Sequence, residues 1–267
     1  MLMKEVASRA LATIETQIMF ENEGEKLYGF LVRPDLAGPY PAVALFDGMG
    51  GSSHGPRRMF AQLCRMLAAE GLAALRFSFR GNGDSEGDYK DVTVERELSD
   101  AHRALEFLAQ QPGVDTSRLG LVGMSLGGLI AAGTAGTRDN VRGIVLWSAV
   151  AHNGERANSR LTPEQREQLD TLGYYDNGGF AQNRTYHEQL VAVNGVKMLA
   201  PYEGPALIIH GTEDTAVPID DAYLYKEALG ERAELVVIEG ANHIFSRLEW
   251  EETVLESTVA FLRKQLL

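Results

Sequence analysis

The sequence predicts an α/β fold: a mostly parallel central sheet, helices on both faces, and one small insertion. Two observations carry this. Short apolar runs alternate with helical segments along most of the chain. Ala42–Phe46, Leu72–Phe77, Leu119–Val122, Val141–Trp147, Ala206–His210 and Leu235–Ile238 read as strands. Continuous apolar runs of this length fit strands covered on both faces, the usual state in a parallel sheet. Second, the alternation breaks after Val150. Ala151–Tyr202 holds no strong parallel-strand core, and the pattern resumes at Ala206.

The elements follow in chain order. Thr13–Met19 and Lys26–Val32 read as strands joined by the turn Glu21–Glu25, an expected hairpin. Pro34–Pro41, with three prolines and a glycine, reads as a loop. Arg57–Glu70 and Val94–Gln110 read as helices. The second places Leu98, Ala101, Leu105 and Leu108 on one stripe, and Pro112 and Gly113 stop it. Leu126–Ala135, Asp220–Leu229 and Leu248–Leu262 complete the core helices. Within the insertion, Thr162 and Gln165 form a capping-box pattern with Pro163 at the first helical position. Gly173–Phe180 reads as a hairpin with Asp-Asn-Gly-Gly at its tip, and His187–Val193 as a short helix. About fifty residues are too many for a plain loop. Residues 1–150 and 203–267 are therefore expected to form the core, and 151–202 a lid insertion.

Composition excludes several functional classes. The 267 residues can bury a substantial core. With 37 acidic against 25 basic side chains, the formal charge is −12. That field repels a phosphate backbone, so no nucleic-acid partner is expected. Cys64 is the single cysteine and sits on the apolar face of an expected helix, where it reads as a small buried hydrophobe. It leaves no partner for an intrachain disulfide. No run approaches the length of a membrane span. The first fifteen residues lack the apolar core of a secretory signal, and Glu5 and Arg9 interrupt them, so a cytoplasmic location is expected. His54, His102, His152, His187 and His210 show no metal-ligand spacing. Gly48–Gly51 lacks the Gly-Lys-Ser of a phosphate loop, and Gly81-x-Gly83 is not a dinucleotide fingerprint. No metal and no cofactor are expected.

The chemistry concentrates at strand ends. In Leu119–Gly128 (LGLVGMSLGG), a buried strand runs into Gly123-Met124-Ser125-Leu126-Gly127 and then a helix. This is the Gly-x-Ser-x-Gly elbow, which exposes a hydroxyl at the tip of a sharp turn. Ser125 is the candidate nucleophile. Asp214 lies in the loop beyond the strand of LIIHGTEDTAVP, and His243 in the loop after VVIEG. His243 can take the serine proton while a carboxylate orients its ring. Glu213 rivals Asp214 as that carboxylate. An oxyanion requires backbone donors. The N–H of Leu126 follows the nucleophile, and the glycine-rich loop Asp47-Gly48-Met49-Gly50-Gly51 offers that of Met49. Arg80, Asp84 and His210 read as bracing or packing residues.

These motifs, with Arg80–Gly87 (RGNGDSEG), make the chain resemble the α/β-hydrolase superfamily, and within it the cinnamoyl and feruloyl esterases and related carboxylesterases. The resemblance spans nearly the whole chain. It implies Ser125, Asp214 and His243 as the catalytic triad, with Asp214 preferred over Glu213. It also implies ester cleavage through an acyl-enzyme and a compact lid at about Ala151–Tyr202. Many relatives carry histidine where this chain has Asp47. The aromatic residues Tyr174, Tyr175, Phe180 and Tyr186 are expected either to pack the lid on the core or to line the substrate pocket. The expected partner is a small-molecule ester, with a small or aromatic acyl group. Amide, peptide or thioester hydrolysis remains open, as do a non-catalytic ligand-binding role and a homodimer.

Overall fold

The computed structural model describes residues 10–267. The signal-sequence reading of residues 1–9 lies outside them. The described chain starts with the expected hairpin. β1 (Thr13–Asn22) pairs antiparallel with β2 (Glu25–Pro34), Asn22 opposite Glu25. Glu23 and Gly24 both turn at positive φ, 50° and 86°, which suits the twist of a two-residue hairpin loop. Then follow β3 (Tyr40–Phe46), β4 (Ala73–Phe77), β5 (Val114–Met124), β6 (Val141–Trp147), the insertion hairpin β7 (Tyr174–Asn177) and β8 (Phe180–Asn183), and finally β9 (Ala206–Gly211) and β10 (Ala233–Ile238).

Eight strands form one sheet in the order β1-β2-β4-β3-β5-β6-β9-β10. β2 meets β4 antiparallel, and every pairing from β4 to β10 is parallel. This is the α/β-hydrolase architecture. Alternation along the strands divides the core in two, because successive side chains point to opposite faces. Ala42, Ala44 and Phe46 of β3 and Ala206 and Ile208 of β9 join one apolar cluster. Val43 and Leu45, with Leu207 and Ile209, join the other. The first face is covered by α2 (Val94–Ala109), α3 (Leu126–Ala135) and α8 (Asp220–Leu229), and the second by α1 (Met59–Ala69) and α9 (Leu248–Leu266). Cys64 is buried on the inner face of α1.

Between β6 and β9 lies a lid-like region: α4 (Gly154–Ser159), α5 (Pro163–Leu172), the β7–β8 hairpin, α6 (Arg184–Ala192) and α7 (Gly195–Leu199). The capping box forms as expected, with Thr162 accepting from Gln165 N–H and Gln165 accepting from Thr162 N–H. Gly178 and Gly179 close the hairpin at φ 65° and 92°. No helix among the described residues is long and apolar enough to cross a membrane.

Three departures from the expected elements have physical causes. β5 starts at Val114 rather than Leu119, because its first residues are polar and partly exposed. α4 and α7 are too short to show a helical period. α1 starts at Met59 rather than Arg57, because Arg57 and Arg58 are left-handed, at φ 46° and 67°.

Candidate active site

Parallel strands put their carboxyl ends on one edge of the sheet, so the loops that follow them converge there. β3 ends at the Asp47 loop, β5 at Ser125, β9 at the Asp214 loop and β10 at the His243 loop. Ser125 and His243 both face a cleft of about 440 Å3, together with Asp47, Gly48, Met49 and Ile244.

Ser125 adopts φ 55°, ψ −121°, a conformation that costs a side-chain-bearing residue roughly 1–3 kcal/mol. The surroundings hold it there. Ser125 N–H donates to Trp147 O at 2.9 Å, and Ser125 O accepts from Gly128 N–H and Val150 N–H. The flanking glycines are sterically required. A Cβ on Gly123 would lie 2.2 Å from Gly127 O, and one on Gly127 would lie 2.1 Å from Phe46 O. The elbow thus packs directly against the end of β3, from which the Asp47 loop departs.

The amides of that loop are mostly occupied. Gly48 N–H and Ser52 N–H donate to the Asp47 carboxylate at 2.8 and 3.2 Å. Gly51 N–H donates to Gly48 O, and Ser53 N–H to Ser78 Oγ. Among the described residues, Met49 N–H and Gly50 N–H of this loop, and Leu126 N–H at the elbow, have no protein acceptor. Met49 and Leu126 are the two groups singled out from the sequence as oxyanion donors. Burial raises the Asp47 pKa to about 6, against the opposing effect of its two N–H bonds and the charge of His243. Asp47 braces the loop, a role its position in the sequence did not reveal.

Asp214 is buried, and its Oδ2 lies 2.7 Å from His243 Nδ1. Its Oδ1 accepts from Ala216 N–H and Val217 N–H at 2.9 and 2.8 Å. Neighbouring Glu213 is exposed. His210 is fully buried. Its Nε2 lies 2.9 Å from Val217 O and 3.3 Å from Asp214 Oδ2. Burial alone would disfavour the Asp214 charge. Hydrogen bonds from His210 and His243, the His243 charge and Val217 N–H outweigh it and hold the carboxyl below the usual carboxylate range. An ionised Asp214 keeps a proton on His243 Nδ1, leaving Nε2 as the ring's free base.

The lid-like region meets this site through specific contacts. Asn177 Nδ2 lies 3.4 Å from Met49 Sδ. The Phe180 ring packs against Gly50, where a Cβ would come within 2.8 Å of it, and against Tyr89 at 4.5 Å between centroids. A second cavity, about 260 Å3, opens beside Met49 and is lined by Leu161, Tyr175, Gln182, His187 and Leu190. Arg160 donates to Thr215 O and Ala216 O, tying α4 to the Asp214 loop. At the root, Arg156 pairs with buried Asp221, which also accepts Ala151 N–H. The four aromatic candidates separate by position. Tyr175 lines the lid cavity and Phe180 lies over the Met49 loop. Tyr186 is fully buried against Glu97 of α2, and Tyr174 is exposed and lines neither space. Arg80 is buried, paired with Asp100, Glu23 and Glu25, and lines neither cavity.

Residues 58–267 match the model of the prolyl oligopeptidase family. A curated relative, the uncharacterized protein Rv2307c of Mycobacterium tuberculosis (strain ATCC 25618 / H37Rv), is 27% identical over 258 residues, covering 96% of this chain and 82% of its own length. Esterase EstD of Thermotoga maritima is 26% identical over 257 residues, covering 86% of this chain and 60% of its own length. Among solved structures, Est1E from Butyrivibrio proteoclasticus with ferulic acid bound superposes with a TM-score of 0.82 at 23% identity, covering 93% of this chain and 98% of its own. That last likeness is one of fold.

Proposed function

The chain belongs to the prolyl oligopeptidase family, and from that premise we propose that it is a serine carboxylesterase for small or aromatic acyl esters. Ser125 is the nucleophile, His243 the base and Asp214 its orienting acid. The observation that carries this is the 2.7 Å Asp214–His243 bond at the wall of the cleft that Ser125 enters from a strained elbow. EstD is named an esterase and Est1E holds ferulic acid, which supports the ester class.

The mechanism follows from these groups. Ser125 Oγ attacks the ester carbonyl while His243 Nε2 takes its proton. The oxyanion forms between Met49 N–H and Leu126 N–H, neither of which is taken by a protein acceptor. The imidazolium, stabilised by ionised Asp214, returns the proton to the leaving alcohol. Water, deprotonated by the same histidine, then attacks the acyl-enzyme and releases the acid. Segment 151–202 acts as the lid, and its cavity beside Met49 receives the acyl group through Tyr175, Leu161 and Leu190. Phe180 closes the roof.

Labelling with an active-site-directed organophosphonate tests the assignment. One adduct per chain is expected on the wild type and none on Ser125→Ala. Turnover of a small activated ester should fall at least about 10^3-fold in that variant. Equal labelling of both proteins would sink the proposal. The family name favours a second reading, peptide or amide hydrolysis at the same serine. Amides and thioesters beside the ester panel decide it: a higher kcat/KM on amides selects the second reading.

A further inference from the structure

We infer that Arg57 is a positioning residue for His243, clamping the histidine loop to the loop that carries Met49. The inference rests on the esterase reading above. Asp214 holds His243 only through its ring. The backbone of the histidine loop needs a separate restraint, and Arg57 supplies one from across the cleft. Its Nη2 donates to Ile244 O and Phe245 O, both at 2.6 Å. These are the two carbonyls that follow His243 in the chain. Its Nε lies 3.5 Å from Glu251 Oε2, and Gln62 Nε2 donates to Glu251 Oε1 at 2.7 Å. The guanidinium therefore joins three parts of the fold: the segment after the Met49 loop, the histidine loop and the first turn of α9.

The backbone at both ends of the clamp is unusual. Arg57 lies at φ 46° and Phe245 at φ 53°, both in the left-handed region that non-glycine residues rarely adopt. Such conformations persist where the surroundings over-determine them. Gly55, Pro56, His243 and Ile244 line the cleft beside Ser125, so the clamp spans two of its walls. Phe245 is fully buried and Ile244 is not, so Arg57 fixes the chain where it passes from the cleft into the core. A guanidinium holds its donors in a rigid planar fork that spans the two carbonyls and Glu251, whereas an ammonium is a compact point charge on a flexible stem. A displacement of about 1 Å in a proton-transfer geometry costs on the order of 10^2 in rate. Loss of the clamp should therefore act on kcat rather than on KM.

The test compares wild type, Arg57→Ala, Arg57→Lys and Arg58→Ala on a small activated ester, with folding followed by circular dichroism and thermal melting. Arg58 is left-handed too but makes no side-chain hydrogen bond or ion pair among the described residues, so Arg58→Ala should match wild type. Arg57→Ala is expected to lower kcat about 10- to 100-fold with KM changed less than about threefold. Low, non-denaturing guanidinium should restore part of that kcat and leave wild type unchanged. A folded Arg57→Ala with kcat within about twofold of wild type, or with a loss that guanidinium leaves untouched, overturns the inference. If Arg57→Ala does not fold, Arg57→Lys decides. A kcat loss at unchanged KM supports the clamp, and wild-type kinetics refute it. A wild type that neither reacts with the phosphonate nor turns over any ester refutes the esterase reading itself, a result separate from all of these.

Discussion

Glu97→Gln should stabilise the protein increasingly as pH rises. Glu97 projects from α2 into full burial, 3.4 Å from the Tyr186 hydroxyl of the lid-like region. Burial first, and the nearby Asp100 charge second, raise its pKa from 4.5 to about 8, against the Tyr186 hydrogen bond. Between those two values the folded chain holds a proton that the unfolded chain has released. Stability therefore falls as pH rises through the window, and the full loss is reached above about pH 8. Each pH unit within it corresponds to about 1.4 kcal/mol, or about 5 kcal/mol across the window as an upper bound. Relaxation and water entry reduce such penalties, so about 2–3 kcal/mol is the expected change. Glutamine keeps the shape and stays neutral in both states. Urea unfolding of both proteins from about pH 5 to about pH 8 measures the gap between them. The gap should widen in favour of the variant with rising pH. Asp47, raised to about 6, titrates in both proteins, and its contribution cancels in the difference. A gap that stays constant across the range would show that Glu97 is not held protonated by burial.

Two further outcomes follow from the site. Asp214→Asn should lower kcat by about 10^4-fold, because the amide favours the wrong imidazole tautomer. Glu213→Gln, at an exposed position, should stay within about twofold, the range of ordinary surface changes. Steady-state kinetics on one ester distinguish the two acids, and a severe Glu213→Gln beside a mild Asp214→Asn reverses the assignment. Gly127→Ala would drive a Cβ to 2.1 Å from Phe46 O and 2.5 Å from Asp47 O. Overpacking of this kind costs about 1–3 kcal/mol, and here it pushes on the root of the Met49 loop. A lower melting temperature together with reduced ester turnover is expected, and an unchanged melting curve would contradict the steric reading.

The core was legible because its signals are local. A strand buried on both faces is apolar at nearly every position, so Ala42–Phe46 and Ala206–His210, polar only at its last residue, announced themselves without any tertiary knowledge. The same holds for the elbow, where Gly123 and Gly127 are required by contacts within a few residues and with the end of β3. The capping box at Thr162 and the hairpin tip at Gly178–Gly179 were equally local. Short or polar elements gave no such signal, which is why α4, α7 and the start of β5 were visible only in three dimensions.

By itself the sequence determined the alternating architecture, the place of the insertion and the strand-end loops that carry Ser125, Asp214 and His243. The residues alone left Glu213 a rival of Asp214 and only the family resemblance favoured Asp214; the tertiary structure adds the physical difference, since the loop turns Asp214 inward against His243 and Glu213 out. It alone divided the lid aromatics, placing Tyr175 at a cavity, Phe180 over Gly50 and Tyr186 against Glu97. Arg57 reaches Phe245 across 188 residues of sequence. Periodicity records which face of an element is buried, but not what lies opposite it. That partner is set by the order of strands in the sheet and the path of the loops between them.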